Sequence, residues 1–182
     1  MYVREQLNMD KWFPETIGIF FNIHHKEYET QLIKRCAEIQ EEDTIDLRKD
    51  EIFKPVLDFQ QQCVERYSDD LQMKYENDVY SPKLTRTWFN TYYKNDFQEY
   101  YLSEGIISTI YCLTCDENDK TIFKSQRYES YPIQYGSRDR PAGRAFYEST
   151  PGKLLVFRSH LEHCVEQKTT EKPRITLASN YQ

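Results

Sequence analysis

Histidine is scarce in this chain of 182 residues. There are four, His24, His25, His160 and His163, and none lies between residues 26 and 159. Any site that needs imidazoles must take them from the two ends. Glycine is scarce as well, with five residues, and no glycine-rich stretch leads from a strand into a helix, which excludes a backbone phosphate cradle. No apolar run approaches the roughly 18 residues of a membrane-spanning helix. The opening residues M-Y-V-R-E-Q-L-N-M-D lack the apolar core of a signal peptide. The five cysteines (Cys36, Cys63, Cys112, Cys115, Cys164) are odd in number and scattered, so they read as reduced thiols in a cytoplasmic protein. Cys112-x-x-Cys115 has no second pair to complete a zinc site, and buried small side chains account for it. Basic residues are outnumbered by acidic ones, 24 to 30. The net charge of −6 counts against broad nucleic-acid binding and leaves a protein as the expected partner. There is no internal repeat and no low-complexity tract.

Aromatic residues, by contrast, are plentiful, with 15 Tyr and 10 Phe, and 30% of the chain is charged. That is the composition of one globular domain over residues 1–182, long enough to bury a core. Residues 1–81 read as an N-terminal strand and helices, and residues 82–182 as a β-rich core. Residues 1–16, with Trp12-Phe13-Pro14, read as an arm laid on the surface of the domain. Ile17 to Ile23 is apolar and β-prone, and His24-His25 ends it, with the two rings exposed or capping. Tyr28, Leu32 and Cys36 recur every four residues, which predicts an amphipathic helix over residues 26–40. An acidic connector follows over 41–50. Val56, Phe59, Cys63, Tyr67 and Leu71 predict a second helix over about 52–75, with Pro55 tolerable only in its first turn. Both stripes read as packing surface for a sheet.

Residues 83–94 alternate as a strand, with Leu84, Arg86, Trp88, Asn90 and Tyr92 on one side. Asn95-Asp96 marks a turn. Residues 106–114 and 121–124 read as strands joined by a turn over 116–120. Residues 125–150 are the least regular region. They carry Arg127, Arg138, Arg140 and Arg144 among Tyr128, Tyr131 and Tyr135, and read as a solvated, partner-binding loop. Arginines among aromatics also suit a single nucleic-acid strand, but Glu129, Asp139 and Glu148 nearby make that the lesser reading.

The last third of the chain is the most informative. Pro151-Gly152 is a turn signal. Leu154 to Phe157 is a short apolar run, the pattern of a strand buried on both faces. Ser159 to Glu162 re-aims the chain, and His163 to Gln167 reads as another strand. In the final strand Arg174, Thr176, Ala178 and Asn180 share one face, opposite Ile175 and Leu177. His163 and Arg174, eleven residues apart on consecutive strands, can look into one cavity.

This stretch, Gly152, Leu154 to Phe157, Ser159, His163, Arg174 and Asn180, resembles the C-terminal core of the iron(II)/2-oxoglutarate-dependent oxygenases, in particular a branch found in bacteria and their phages. The likeness extends to Phe13-Pro14, Trp88-Phe89-Asn90 and Ser108 to Leu113. It implies a mainly β, α+β fold: a double-stranded β-helix (a jelly roll, cupin-like) with the N-terminal helices packed on one sheet. It also implies an iron held by two histidines and a carboxylate, with His163 as the second histidine. Arg174 would fork onto the far carboxylate of 2-oxoglutarate, with Asn90 and Asn180 as further cosubstrate-binding residues.

The resemblance also shows a gap. The first ligands are expected as His-x-Asp or His-x-His shortly before Ser108, where the sequence reads Q-E-Y-Y-L-S-E-G-I-I-S. Tyr101 stands at or within one residue of the histidine position, and Ser103 or Glu104 at that of its partner. Glu99 and Glu104 could supply oxygens, and Tyr101 or its neighbour Tyr100 a phenolate. More simply, Tyr101 fills the space of a lost metal. His160, three residues from His163, is a weaker substitute.

Three readings follow. The first, ranked highest, is a non-catalytic structural or interaction protein on the oxygenase scaffold, with Fe(II) and 2-oxoglutarate relevant only if the site is functional, and a virion component if the chain is phage-encoded. The second is an active dioxygenase, a hydroxylase, with altered metal ligands. The third is a module that holds 2-oxoglutarate or another dicarboxylate through Arg174 without chemistry.

Overall fold

The structure, a computed structural model, describes residues 8–12, 15–39, 46–75, 78–125 and 143–182. The chain opens with strands β1 (Asn8–Trp12) and β2 (Glu15–Phe21). Helix α1 (His25–Ile39) follows because Leu32, Cys36 and Ile39 fall on one face and are buried together. Helix α2 spans Lys54–Asp70, with Pro55 in its first turn, where its missing N–H costs nothing. It is shorter than the apolar stripe predicts. The chain leaves the helix at Leu71, and Gln72 takes a φ of +50°. A small hairpin, β3 (Lys74–Tyr75) with β4 (Asp78–Val79), follows, and β3 takes the last residues that periodicity assigned to the helix.

The remaining strands are β5 (Leu84–Tyr92), β6 (Gln98–Tyr101), β7 (Ile107–Thr114), β8 (Lys120–Lys124), β9 (Arg144–Glu148), β10 (Lys153–Arg158), β11 (Glu162–Val165) and β12 (Arg174–Tyr181). Six strands form a major sheet in the order β1-β2-β10-β7-β12-β5. Four form a minor sheet in the order β6-β11-β8-β9. From β5 onward, β5, β7, β10 and β12 lie in the major sheet and β6, β8, β9 and β11 in the minor one, so the chain crosses between the sheets at every step except that from β8 to β9, which is the double-stranded β-helix that the resemblance implied.

Alternation along each strand produces two cores. On the outer face of the major sheet, Ile107, Tyr111, Leu113, Leu154, Val156, Ile175, Leu177 and Tyr181 pack with Leu32, Phe53, Val56, Val64 and Tyr67 of the helical layer. Between the sheets, Ile17, Ile110, Leu155 and Phe157 meet Phe123, Ala145, Tyr147 and Leu161. The helix layer comes close to β2: the Tyr67 hydroxyl donates to the Thr16 carbonyl at 2.7 Å. A Cβ on Gly18 would lie 2.9 Å from the Tyr67 ring, so glycine is what lets the two approach.

Two expectations need correction. His25 is not exposed: it begins α1, is buried, and its Nδ1 lies 2.8 Å from the Tyr111 hydroxyl. The region 125–150 is not wholly irregular, because residues 144–148 pair with β8 as β9. The four residues of β6, to which the sequence assigns no element, form an edge strand on β11. Phe13-Pro14, residues 41–45 of the acidic connector, and Arg127, Arg138, Arg140, Tyr128, Tyr131 and Tyr135 lie outside the described residues.

Candidate active site

His163 and Arg174 sit in different sheets and both face the space between them. On β11, His163 is paired with Phe123 of β8 on one side and with Tyr101 of β6 on the other. On β12, Arg174 is paired with Tyr92 of β5. Both reach inward-facing residues of β8: the Arg174 guanidinium donates to Thr121 Oγ1, and the His163 ring lies near Phe123. Thr121 and Phe123 are two residues apart on that strand, roughly 7 Å.

The His163 imidazole is almost wholly buried. Its Nδ1–H donates to the Leu161 carbonyl at 2.9 Å, and a carbonyl can only accept, so the tautomer is set. Nε2 then carries a lone pair and has no hydrogen-bond partner among the described residues. The ring is boxed by Tyr101, Phe157 and Phe123, with centroids at 4.2, 4.9 and 5.7 Å. Burial pushes its pKa down to about 4, against the smaller opposing effect of the Leu161 hydrogen bond, so the ring is neutral.

Tyr101 stands directly opposite His163. Burial first, and Tyr92 second, push its phenol up to about 12, with Arg174 pulling the other way. It is a phenol at neutral pH, not a phenolate ligand. Glu99 and Glu104 are both exposed. Glu99 lines a groove with Phe97, Tyr100 and Cys164, and Glu104 lies in the turn between β6 and β7. Ser103 gives its backbone N–H to the Ser159 carbonyl. His160 is half exposed and ion-paired with Glu15 at 3.1 Å. Among the described residues, no three of His, Cys, Asp and Glu come together in a way that could hold a metal ion. The His163 tautomer suits a metal ligand, whose other nitrogen commonly donates to a backbone carbonyl. The donor set around it, three aromatic rings, does not fit iron.

Arg174 is 1% exposed. It donates to the Lys120 carbonyl at 2.9 Å and to Thr121 Oγ1 at 2.7 Å, and stacks over Tyr92 with 5.8 Å from Cζ to the ring centroid. Nε has no partner. Among the described residues Arg174 has no acidic side chain within ion-pair distance, although a buried guanidinium normally requires one. Beside it lies a narrow cavity of about 10 Å³ lined by Cys112, Thr121, Tyr147, Lys153 and Leu155, about the room a single water needs. Lys153 brings a second cation, its pKa lowered by burial and partly restored by Glu148.

The two asparagines are placed differently. Asn90 is half-buried, faces inward beside Thr176, and lies two residues from Tyr92. Asn180 is at the far end of β12, roughly 20 Å from Arg174. Its Oδ1 accepts from Ser108 Oγ at 3.0 Å, and Ser108 in turn pairs with Ser159 at 2.8 Å. Sequence reasoning therefore grouped Asn180 with a residue from which the strand separates it. It also missed Thr121, Tyr92 and the aromatic box. Alternation along residues 121–123 was the available signal, but which strand faces β12 across the barrel was not readable.

The family model described as "Putative 2OG-Fe(II) oxygenase" matches residues 86–180, a little over half of the chain. No curated protein matches. Several solved structures share the fold. The non-heme alpha ketoglutarate dependent carbocyclase SnoK from nogalamycin biosynthesis is 10% identical, with a TM-score of 0.65 over 91% of this chain and 78% of that one. HygX from Streptomyces hygroscopicus, with nickel and 2-oxoglutarate bound, is 12% identical, with a TM-score of 0.60 over 91% and 81%. A Pseudomonas putida prolyl-4-hydroxylase is 16% identical, with a TM-score of 0.58 over 90% and 86%.

Proposed function

The chain belongs to the 2-oxoglutarate/iron(II) oxygenase family, and on that footing we propose that it is a member without turnover: an interaction or structural protein that uses the oxygenase scaffold and keeps only the anion-holding end of the cavity. The observation that carries this reading is Tyr101, a neutral phenol 4.2 Å from the His163 ring, at the place where the resemblance expects the first histidine. An aromatic ring there fills the volume an ion and its waters would need. A scaffold can lose its chemistry and keep its shell, and the partner is then a protein, in a virion if the chain is phage-encoded.

Arg174 favours a second element of this reading. A buried cation with no carboxylate beside it is costly unless an anion arrives. Lys153 at the same cavity adds to that demand. A dicarboxylate such as 2-oxoglutarate is the class of ligand that a two-point guanidinium suits. The alternative, a dioxygenase with altered ligands, draws its support from the unpartnered lone pair on His163 Nε2.

Anaerobic calorimetry with Fe(II), Mn(II) and 2-oxoglutarate on the wild type, His163→Ala and Arg174→Ala separates these readings. The expected result is no metal binding that depends on His163, with 2-oxoglutarate binding, where present, independent of metal and lost in Arg174→Ala. Tight metal binding abolished by His163→Ala, with 2-oxoglutarate binding only to the metal-loaded protein, would make the chain an active oxygenase.

A further inference from the structure

We propose that the open edge of β6 is a docking site for an extended, basic and apolar segment of a partner protein, which adds a strand to the minor sheet. β6 ends that sheet and pairs with β11 on one side only. In an end strand, alternate N–H and C=O groups point away from the sheet with no ladder partner. Among the described residues, no backbone group outside β11 bonds to residues 98–101. The β5 edge of the major sheet is different: Arg48 donates to the Thr85 carbonyl and covers part of it.

The side chains around β6 define what the edge accepts. Phe97, just before the strand, is 60% exposed, and Leu102, just after it, is 52% exposed. Single exposed apolar residues are ordinary, but two that bracket an open strand mark a contact surface. Beside the strand runs a groove of about 410 Å³, lined by Phe97, Tyr100, Cys164 and Val165, with Glu99 as its one charged residue. Cys164 follows His163 on β11, so the groove lies on the outer face of the sheet, away from the barrel interior. It has room for a bulky apolar side chain of an added strand.

Charge selects the partner. Residues 95–104 contain Asp96, Glu99 and Glu104 and no basic residue. All three acids are exposed, and among the described residues none of them is in an ion pair. Lys94, next to them, is taken up by Glu171. Lys124 and Arg144 lie over the Tyr100 ring at 5.7 and 5.8 Å, but they stem from β8 and β9, beyond β11 from the open edge. The β6 edge of a second copy would bring three more acids, and a nucleic acid would bring phosphates, so both are repelled. A strand in which Lys or Arg alternates with Val, Leu or Phe answers the acids and the groove together, while main-chain pairing supplies affinity. This surface serves the interaction role proposed above, but it does not depend on the state of the iron site, because the edge lies outside the barrel.

The test uses full-length protein and a fluorescent synthetic peptide, Lys-Val-Lys-Phe-Lys-Val-Lys, capped at both ends, followed by anisotropy. A matched peptide replaces each Lys with Glu. Two further versions of the basic peptide carry N-methyl groups on alternate residues, so that each keeps its charge and side chains but blocks one edge. The basic peptide should bind and the acidic one should not. One methylated version should lose binding and the other retain it. Glu99→Lys should weaken binding by roughly fivefold to tenfold, and Phe97→Ser should weaken it as well. Asp58→Lys, the same change of net charge at an exposed position of α2, should leave it unaltered. The substituted side chains are exposed, and circular dichroism melting checks that each variant is folded; Phe97→Ser serves should Glu99→Lys fail to fold. No binding at about 1 mM basic peptide would overturn the proposal. Equal binding of both methylated versions, or an equal effect of Glu99→Lys and Asp58→Lys, would overturn it too, because the peptide would then be adhering to net charge. A dimer of the protein alone in sedimentation, dissociated by Leu102→Ser, would give the edge to a second copy instead. The metal and 2-oxoglutarate calorimetry is read separately, so either proposal can fail without the other.

Discussion

At the scale of single residues, His163 and Arg174 make opposite demands on the same interior. His163 must stay neutral. Its folded pKa, about 4, lies below the ordinary 6.5, so the unfolded chain binds the extra proton between those values. Stability linked to this group is complete above pH 6.5 and is lost as the pH falls through the window toward 4. The expected loss is about 2 kcal/mol by pH 5, from 1.36 kcal/mol per unit. Urea unfolding at pH 7.5 and pH 5 should show this slope in the wild type and lack it in His163→Phe, where a ring of similar shape keeps the aromatic box. Equal slopes in the two proteins would mean that His163 is more solvated than its surroundings indicate. Arg174 must stay charged, without an acid beside it among the described residues. Arg174→Met should leave the free protein as stable as the wild type or more so, because it removes a buried charge. The same change should erase any rise in melting temperature on adding 2-oxoglutarate. A large loss of stability in Arg174→Met would assign the residue to structure alone.

At the scale of elements, turns and strand ends position the site. Gly105, in the turn that carries the chain from β6 to β7, has a φ of +90°, and a Cβ there would lie 2.7 Å from the Tyr181 carbonyl oxygen. Gly105→Ala combines a left-handed backbone with a clash against main chain that cannot rotate away. It should cost more than about 1 kcal/mol in denaturant unfolding, whereas alanine at a relaxed glycine position costs little. The loop between β11 and β12 is held by Lys168, whose ammonium lies within 3.1 Å of both Asp119 carboxylate oxygens and 2.8 Å from the Thr170 hydroxyl. Both partners are buried. Lys168→Ala should therefore cost about 3–5 kcal/mol, most of it the penalty of an unpaired buried carboxylate. The Lys168→Ala/Asp119→Ala double variant should recover part of that loss, and a cycle of the four proteins measures the coupling.

At the scale of the whole molecule, the barrel does not stand alone. The larger core lies outside it, between the helices and the major sheet. Residues 82–182 without the first 81 would expose Ile107, Tyr111, Leu113, Leu154, Val156, Ile175, Leu177 and Tyr181 on one face. They would also lose β2, which pairs with β10 inside the sheet. That fragment should show no cooperative thermal transition by circular dichroism, although it contains His163, Arg174 and all of the family match. A sharp transition in the fragment would show that the β-helix folds without its helical cover.

Residue pattern alone determined much of this protein. Four-residue spacing specified both helices, two-residue alternation specified β5 and β12, β-rich composition specified β7, and the Arg174 face of β12 was legible because apolar and polar residues alternate along it. The absence of histidine between 26 and 159 was enough to question the iron site. Tertiary structure decided what touches what. The end of α2 depended on a backbone reversal at Gln72 and not on the apolar stripe. The pairing of Tyr101 with His163 came from a four-residue edge strand too short to leave a periodic signal. Asn180 shares a face with Arg174 but is taken up by Ser108 at the other end of the barrel, because facing the same way does not bring together residues that a strand holds about 20 Å apart. The register at the end of β7, which carries one residue more than β12 there, is likewise set by pairing. A bulge exists only in the pairing of two strands, and a single strand's sequence does not contain it.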